Sequence, residues 1–237
     1  MGNTIIVSKN GVEYLQFKKL LEYSQIKHGI TLRTNDLDFG SIDNLEENKE
    51  KITDNYKQLC TAMEIDYNKI IRPRQTHTDV IKTINKEPRE IELFPQYLDN
   101  VDGLITNKSN IILSLSFADC IPLIFYDPIK NVIANIHSGW QGTLKKIGQK
   151  AVLKMIEEYD SNPKDIICCI GPSIKKCCFE VQEDVKELFY NTFSYTNKTN
   201  EFILDKTIDT VKINETILQD VGLDKENIID CRNLHSL

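Results

Sequence analysis

A chain of 237 residues, 41% of them hydrophobic and only 7 of them proline, carries enough apolar mass for a packed core, which excludes disorder as a description. Its formal net charge of -6, with no cluster of Lys and Arg, argues against a nucleic-acid partner, because a phosphate backbone rewards concentrated positive charge. No run of about 18 apolar residues and no basic-then-apolar leader is present. The reading is therefore a cytoplasmic protein with no membrane partner.

The 7 cysteines include two adjacent pairs, Cys168-Cys169 and Cys177-Cys178, a pattern that suits a reducing compartment better than a disulfide framework. No repeat, low-complexity tract or Pro/Gly/Ser linker divides residues 1–237, which read as one catalytic domain acting as a monomer. In chain order, strands are predicted over Thr4 to Val7 and Gly29 to Arg33, followed by a helix after Asp43 and Asn44. Ile52, Tyr56, Leu59, Cys60 and Met63 give that helix one apolar face.

Five strand candidates come next, at Val80 to Ile84, Gly103 to Thr106, Ile111 to Phe117, Pro122 to Tyr126 and Val132 to Ile136. A second helix carries Leu144, Ile147, Ala151, Met155 and Ile156 and stops at Ser161-Asn162-Pro163. A strand over Ile166 to Ile170, a helix over Gln182 to Phe189, a strand over Phe202 to Leu204 and a helix over Ile208 to Val221 complete the pattern. The fold class expected is α/β, with a mixed, largely antiparallel central sheet and helices packed outside.

Asp127-Pro128-Ile129-Lys130-Asn131 has turn chemistry, so the strands on either side should form an antiparallel hairpin. With a five-residue loop centred on Ile129, His137 falls opposite Ile121 and Cys120 opposite Ser138. Cys120 and His137 then share the hairpin's open end.

The chain has 4 histidines. His77 lies in the polar stretch Arg74-Gln75-Thr76-His77-Thr78-Asp79, and His137 ends an apolar strand before Ser138-Gly139-Trp140. Both stand where loops meet strand ends, as does Cys120 in Ala118-Asp119-Cys120-Ile121-Pro122. One thiolate and two imidazoles make a suitable set for zinc, and three ligands leave a fourth position for water or substrate. A buried cysteine and two structural histidines remain the alternative. Cys168 and Cys169, adjacent on a strand, point to opposite faces and do not share an ion; packing for one and partial exposure for the other is expected.

These segments resemble the motifs of the laccase-domain, or multicopper polyphenol oxidoreductase-like, family, viewed as purine nucleoside phosphorylases. Gln75-Thr76-His77, Asp102-Gly103-Leu104-Ile105-Thr106, Ala118-Asp119-Cys120-Ile121-Pro122, His137-Ser138-Gly139-Trp140 and Gly171-Pro172-Ser173-Ile174 follow in the family's order. The resemblance implies that His77, Cys120 and His137 bind a catalytic zinc, copper being the less favoured ion. It also implies phosphorolysis of adenosine, inosine, guanosine and methylthioadenosine, with adenosine deamination as a second reaction, so the partners are a nucleoside and phosphate.

Beside that site, Asp119 is the candidate general acid or base and Gln75 a catalytic or loop-anchoring residue, while Trp140 could stack on a purine and Arg33 hold an anion. Gln141 stands where the family has arginine, which removes a charge suited to phosphate. The ending at Cys231-Arg232-Asn233-Leu234-His235-Ser236-Leu237 lacks the family's basic continuation, a further expected weakening. Competing readings are a hydrolase with Cys120 as nucleophile on amide or peptidoglycan-precursor substrates, a copper-dependent polyphenol oxidase, and a zinc-binding protein weakened in turnover.

Overall fold

The computed structural model describes residues 2–32, 37–40 and 45–231. Arg33, the Asp43-Asn44 helix start and His235 with the rest of the C-terminal segment lie outside the described residues.

β1 (Thr4–Lys9) and β2 (Val12–Phe17) pair antiparallel across Asn10-Gly11. Both turn residues take positive φ, 52° and 76°, the type I′ geometry that Asn-Gly favours and that matches strand twist. β3 (Ile30–Thr31) completes this small sheet. Then come α1 (Leu45–Met63), β4 (Ile70–Arg72), β5 (Ile81–Thr83), β6 (Glu92–Leu93), β7 (Gly103–Thr106) and β8 (Ile112–Leu113). β9 (Ile121–Asp127) and β10 (Val132–Ser138) form the central hairpin, and α2 (Trp140–Leu144), α3 (Ile147–Tyr159) and β11 (Ile167–Ile170) follow it. The last third holds α4 (Glu183–Phe193), α5 (Thr199–Phe202), β12 (Ile203–Leu204), β13 (Thr207–Ile208), α6 (Thr210–Asp220) and β14 (Ile228–Asp230).

The central sheet runs β14-β11-β9-β10-β7-β5, antiparallel at its three inner pairings and parallel at both outer ones. This is the mixed α/β architecture expected. Both sheet faces are covered, so its strands are apolar on both sides. Ile121, Leu123 and Phe125 of β9 pack with Ala134 and Ile136 of β10 under α3 and α6, while Tyr126 turns to Leu15 and Phe17 of β2. Each fully buried aliphatic or aromatic side chain contributes about 1.5–3 kcal/mol. Cys168 and Cys169 do face opposite ways, but both are buried, because β1–β3 cover the side on which exposure was expected.

The hairpin register differs from the expectation by one residue. Val132 pairs with Asp127, His137 with Pro122 and Ser138 with Ile121. The cause is the Asp127 carboxylate, which accepts from the backbone N–H of Ile129 and Lys130 (2.8 and 3.0 Å). This Asx turn, with Asn131 at φ 53°, closes a four-residue loop.

The apolar pattern from Leu144 to Ile156 is split between two helices at Lys146, whose left-handed φ of 57° interrupts the spiral. The Ile111 to Phe117 strand shortens to β8 because the Ser116 peptide is bonded by the Gln75 side chain instead of a ladder partner. Ile208 belongs to β13 rather than the last helix.

His28 is buried, and its Nε2 accepts from the Phe17 N–H at 2.8 Å. Burial lowers its pKa to about 4. Below about pH 6.5 the unfolded chain takes up a proton that the folded protein refuses until about pH 4. Stability should therefore be complete above pH 6.5 and fall by up to about 3 kcal/mol on acidification through that window. Urea unfolding at stepped pH checks this, and a His28→Gln variant should show a flatter profile between the two values.

Candidate metal centre

One row of residues crosses four neighbouring strands of the central sheet: Ile81, Gly103, Ile136 and Leu123. Just beyond this row, at the same end of the sheet, lie His77, Asp102, His137 and Cys120. The row is tight, since a Cβ on Gly103 would stand 2.6 Å from Ile136 Cδ1 and 2.9 Å from an Ile81 carbon. Glycine there lets the strands bring their ends together.

A ligand atom from each of His77, Cys120 and His137 can be chosen so that all lie within 4.8 Å of one another. Bonds of about 2.0–2.3 Å to one ion span this with small adjustment. No other set of three His, Cys, Asp or Glu side chains meets this condition among the described residues. His137 is buried, Cys120 half-buried and His77 exposed, which leaves one side of the cluster accessible. The donor set of one sulfur and two imidazole nitrogens fits a borderline-soft transition metal.

The residue that organises this cluster is Asp102, to which the sequence reading assigned no role. Its carboxylate is fully buried and accepts from His137 Nδ1 at 2.7 Å. It also accepts from three successive backbone N–H groups, those of Thr76 (3.2 Å), His77 (3.1 Å) and Thr78 (2.7 Å), and from the Thr78 hydroxyl (2.8 Å). Such a nest requires the chain to curl, and His77 does so by taking a left-handed φ of 63°. That conformation costs roughly 1–2 kcal/mol for a side chain with a Cβ, offset by the bonds it aligns.

Burial opposes ionisation of Asp102, yet hydrogen bonds from His137 and Thr78 outweigh it and hold the carboxyl below its ordinary value. For His137 burial also opposes the charged form, but hydrogen bonds to Asp102 and Cys120 push it up to about 9. With Nδ1 committed to the carboxylate, Nε2 is the atom presented to the cluster. The legible signal was an acidic residue opening an otherwise apolar strand, Val101-Asp102-Gly103-Leu104-Ile105.

The remaining sequence candidates are placed as follows. Gln75 makes two 2.8 Å bonds to the Ser116 peptide, its amide donating to the carbonyl and accepting from the N–H. Asp119 is exposed beside Cys120, and its backbone carbonyl accepts from the Ile174 N–H at 2.9 Å. Trp140 is half-buried and packs with Leu144 and Phe179 against the cluster around Phe189 and Phe193. Gln141 is exposed on the first turn of α2.

Gly139 supplies the floor of the cluster. A Cβ there would lie 2.9 Å from His77 Cδ2 and 3.2 Å from Cys120 Sγ, although the backbone, at φ -71°, would accept any residue. Gly139→Ala should therefore weaken metal binding about tenfold or more while the fold survives. Competition for zinc against a chromogenic chelator measures this, and unchanged affinity would refute the close-packed floor.

The chain is similar to several known proteins in sequence and in fold. Purine nucleoside phosphorylase YlmD of Bacillus subtilis is 33% identical over 183 residues, covering 75% of this chain and 65% of its own length. Adenosine deaminase RL5, from an unknown prokaryotic organism, is 28% identical over 77% of this chain and 71% of its own. The crystal structure of Bacillus licheniformis hypothetical protein YfiH superposes with a TM-score of 0.82 at 23% identity, over 97% of this chain and 87% of that one. Residues 29–234 match the model of the multi-copper polyphenol oxidoreductase laccase family, and the chain belongs to that family.

Proposed function

We propose that the chain is a zinc-dependent enzyme that cleaves purine nucleosides with phosphate and deaminates adenosine as a second reaction. The observation that carries this reading is the convergence of His77, Cys120 and His137 at one accessible point of the sheet end. The names of relatives, phosphorylase for one and deaminase for another, supply the substrate class. Zinc held there would polarise a substrate oxygen and lower the pKa of bound water to about 7.

The chain's own residues divide the remaining work. Asp102 fixes the ring of His137 and, through the backbone nest, the position of His77. Asp119, exposed one residue from Cys120, gives or takes the proton at the purine or at the attacking oxygen. Gln75, with both ends of its amide engaged on Ser116, acts as a positioning residue for the His77 loop. Trp140, half-buried, stacks on the purine, and Arg33 serves the anion.

Incubating the metal-loaded protein with adenosine, with and without phosphate, tests the reading. Adenine released only with phosphate establishes phosphorolysis, and inosine establishes deamination. Unchanged adenosine under both conditions would overturn the proposal.

One observation favours a second reading. Cys120 Sγ lies within 4.8 Å of a His137 ring nitrogen and Asp102 holds His137 Nδ1 at 2.7 Å, the order of a thiol nucleophile, its base and an orienting carboxylate. In that case chelation leaves activity intact and alkylation of Cys120 abolishes it, whereas the zinc enzyme loses activity on chelation.

A further inference from the structure

The adjacent cysteines Cys177 and Cys178 have no part in the chemistry above. Residues 175–178 make a turn in which the N–H groups of Cys178 and Phe179 both donate to the Lys175 carbonyl (2.9 and 3.0 Å). On an extended strand neighbouring side chains diverge, as those of Cys168 and Cys169 do on β11. In the turn they converge, and the two sulfurs lie 3.2 Å apart, both residues exposed.

The other cysteines are poor competitors for an oxidant. Cys60, Cys168, Cys169 and Cys231 are buried, and burial pushes all four thiols up, Cys60 and Cys231 to about 12. These groups are out of an oxidant's reach, whereas Cys177 and Cys178 are exposed; the hydrogen bond from Cys177 raises the Cys178 thiol as well, so access is what separates the pair from the others. Cys120 is half-buried within the ligand cluster.

We propose that Cys177 and Cys178 are a reversible dithiol–disulfide pair, a modification site separate from the metal centre that reacts with low-molecular-weight disulfides. One thiolate attacks the incoming disulfide, forming a mixed disulfide and expelling one thiolate. The neighbouring thiolate attacks that bond, forms the Cys177–Cys178 disulfide and expels the second. The chain gives up two protons and two electrons, and the oxidant leaves as two thiols. Adjacent Cα atoms are about 3.8 Å apart, shorter than the usual disulfide range, which starts near about 4.4 Å. The closed ring is therefore strained and readily reduced again.

The pair sits on a segment joined to the metal-site loop. The Ile174 N–H donates to the Asp119 carbonyl and the Gly171 N–H to that of Pro122, each at 2.9 Å.

The test treats the metal-loaded, full-length protein with dithiobis(nitrobenzoate) and follows dye release, intact mass and peptide maps. Wild type should release two dye equivalents from this segment, retain no adduct on it, lose the mass of two hydrogens there and recover on adding dithiothreitol. Cys177→Ser and Cys178→Ser should each release one equivalent and keep a stable adduct on the remaining cysteine. A wild-type protein that keeps an adduct on either residue, or whose pair stays unmodified, overturns the proposal.

Discussion

A Cys120→Ala variant is expected to lose its bound metal and at least about 10³-fold in turnover of adenosine, while remaining folded. Truncation removes the thiolate, the ligand that distinguishes this set from a pair of histidines, and leaves His77 and His137 to hold an ion alone. Metal chemistry of this type contributes several kcal/mol to a transition state, and each 1.36 kcal/mol is about a factor of ten. Cys120 is half-buried outside the apolar clusters, so its truncation leaves little cavity and the fold should hold. Elemental analysis, a progress curve and a thermal melt on the same preparation separate these effects. Full turnover in a metal-free variant would contradict the proposed role.

Asp102→Asn is expected to be nearly as damaging through a different route. Five donors converge on the two carboxylate oxygens, two on one and three on the other. An asparagine amide replaces one of those oxygens with a donor, so at least two of the five must face another N–H inside the protein. Leaving buried donors unsatisfied costs about 1–3 kcal/mol each before relaxation, and the charge assistance is lost as well. A loss of about 2–4 kcal/mol in unfolding free energy is expected, together with a metal affinity lower by about 10–100-fold. Chelator competition and urea unfolding read the two effects independently. If affinity falls while stability does not, Asp102 acts on the His137 ring alone; if neither changes, its organising role is wrong.

The three candidate ligands were legible because each stands in a segment with its own character: a polar loop, a residue preceding an apolar strand, and the end of another. Their meeting followed from a hairpin whose existence was readable but whose register was not. The Asx turn of Asp127 decides between a four- and a five-residue loop by two hydrogen bonds, a distinction that composition does not make. Asp102 was opaque for a similar reason, since its five partners come from residues 24 to 35 positions away. Nothing local announces them. β2 is a different case: Asn10-Gly11 is a strong hairpin signal, but Val12-Glu13-Tyr14-Leu15-Gln16-Phe17 breaks simple alternation, so the pattern predicts no strand there. β8 shows the reverse error, an apolar run read as seven residues of which only two pair as a strand.

Gln75 and Ser116 illustrate how this scaffold gains rigidity away from its regular elements. A primary amide has the same donor and acceptor as a peptide unit, and here it pairs in both directions with one. The result is a single rung of ladder detached from any sheet, fastening the loop before His77 to the approach to Cys120. Any local opening that frees one loop must break the same two bonds that free the other. Exchange of the Ser116 amide with deuterium should thus report on the freedom of both loops at once.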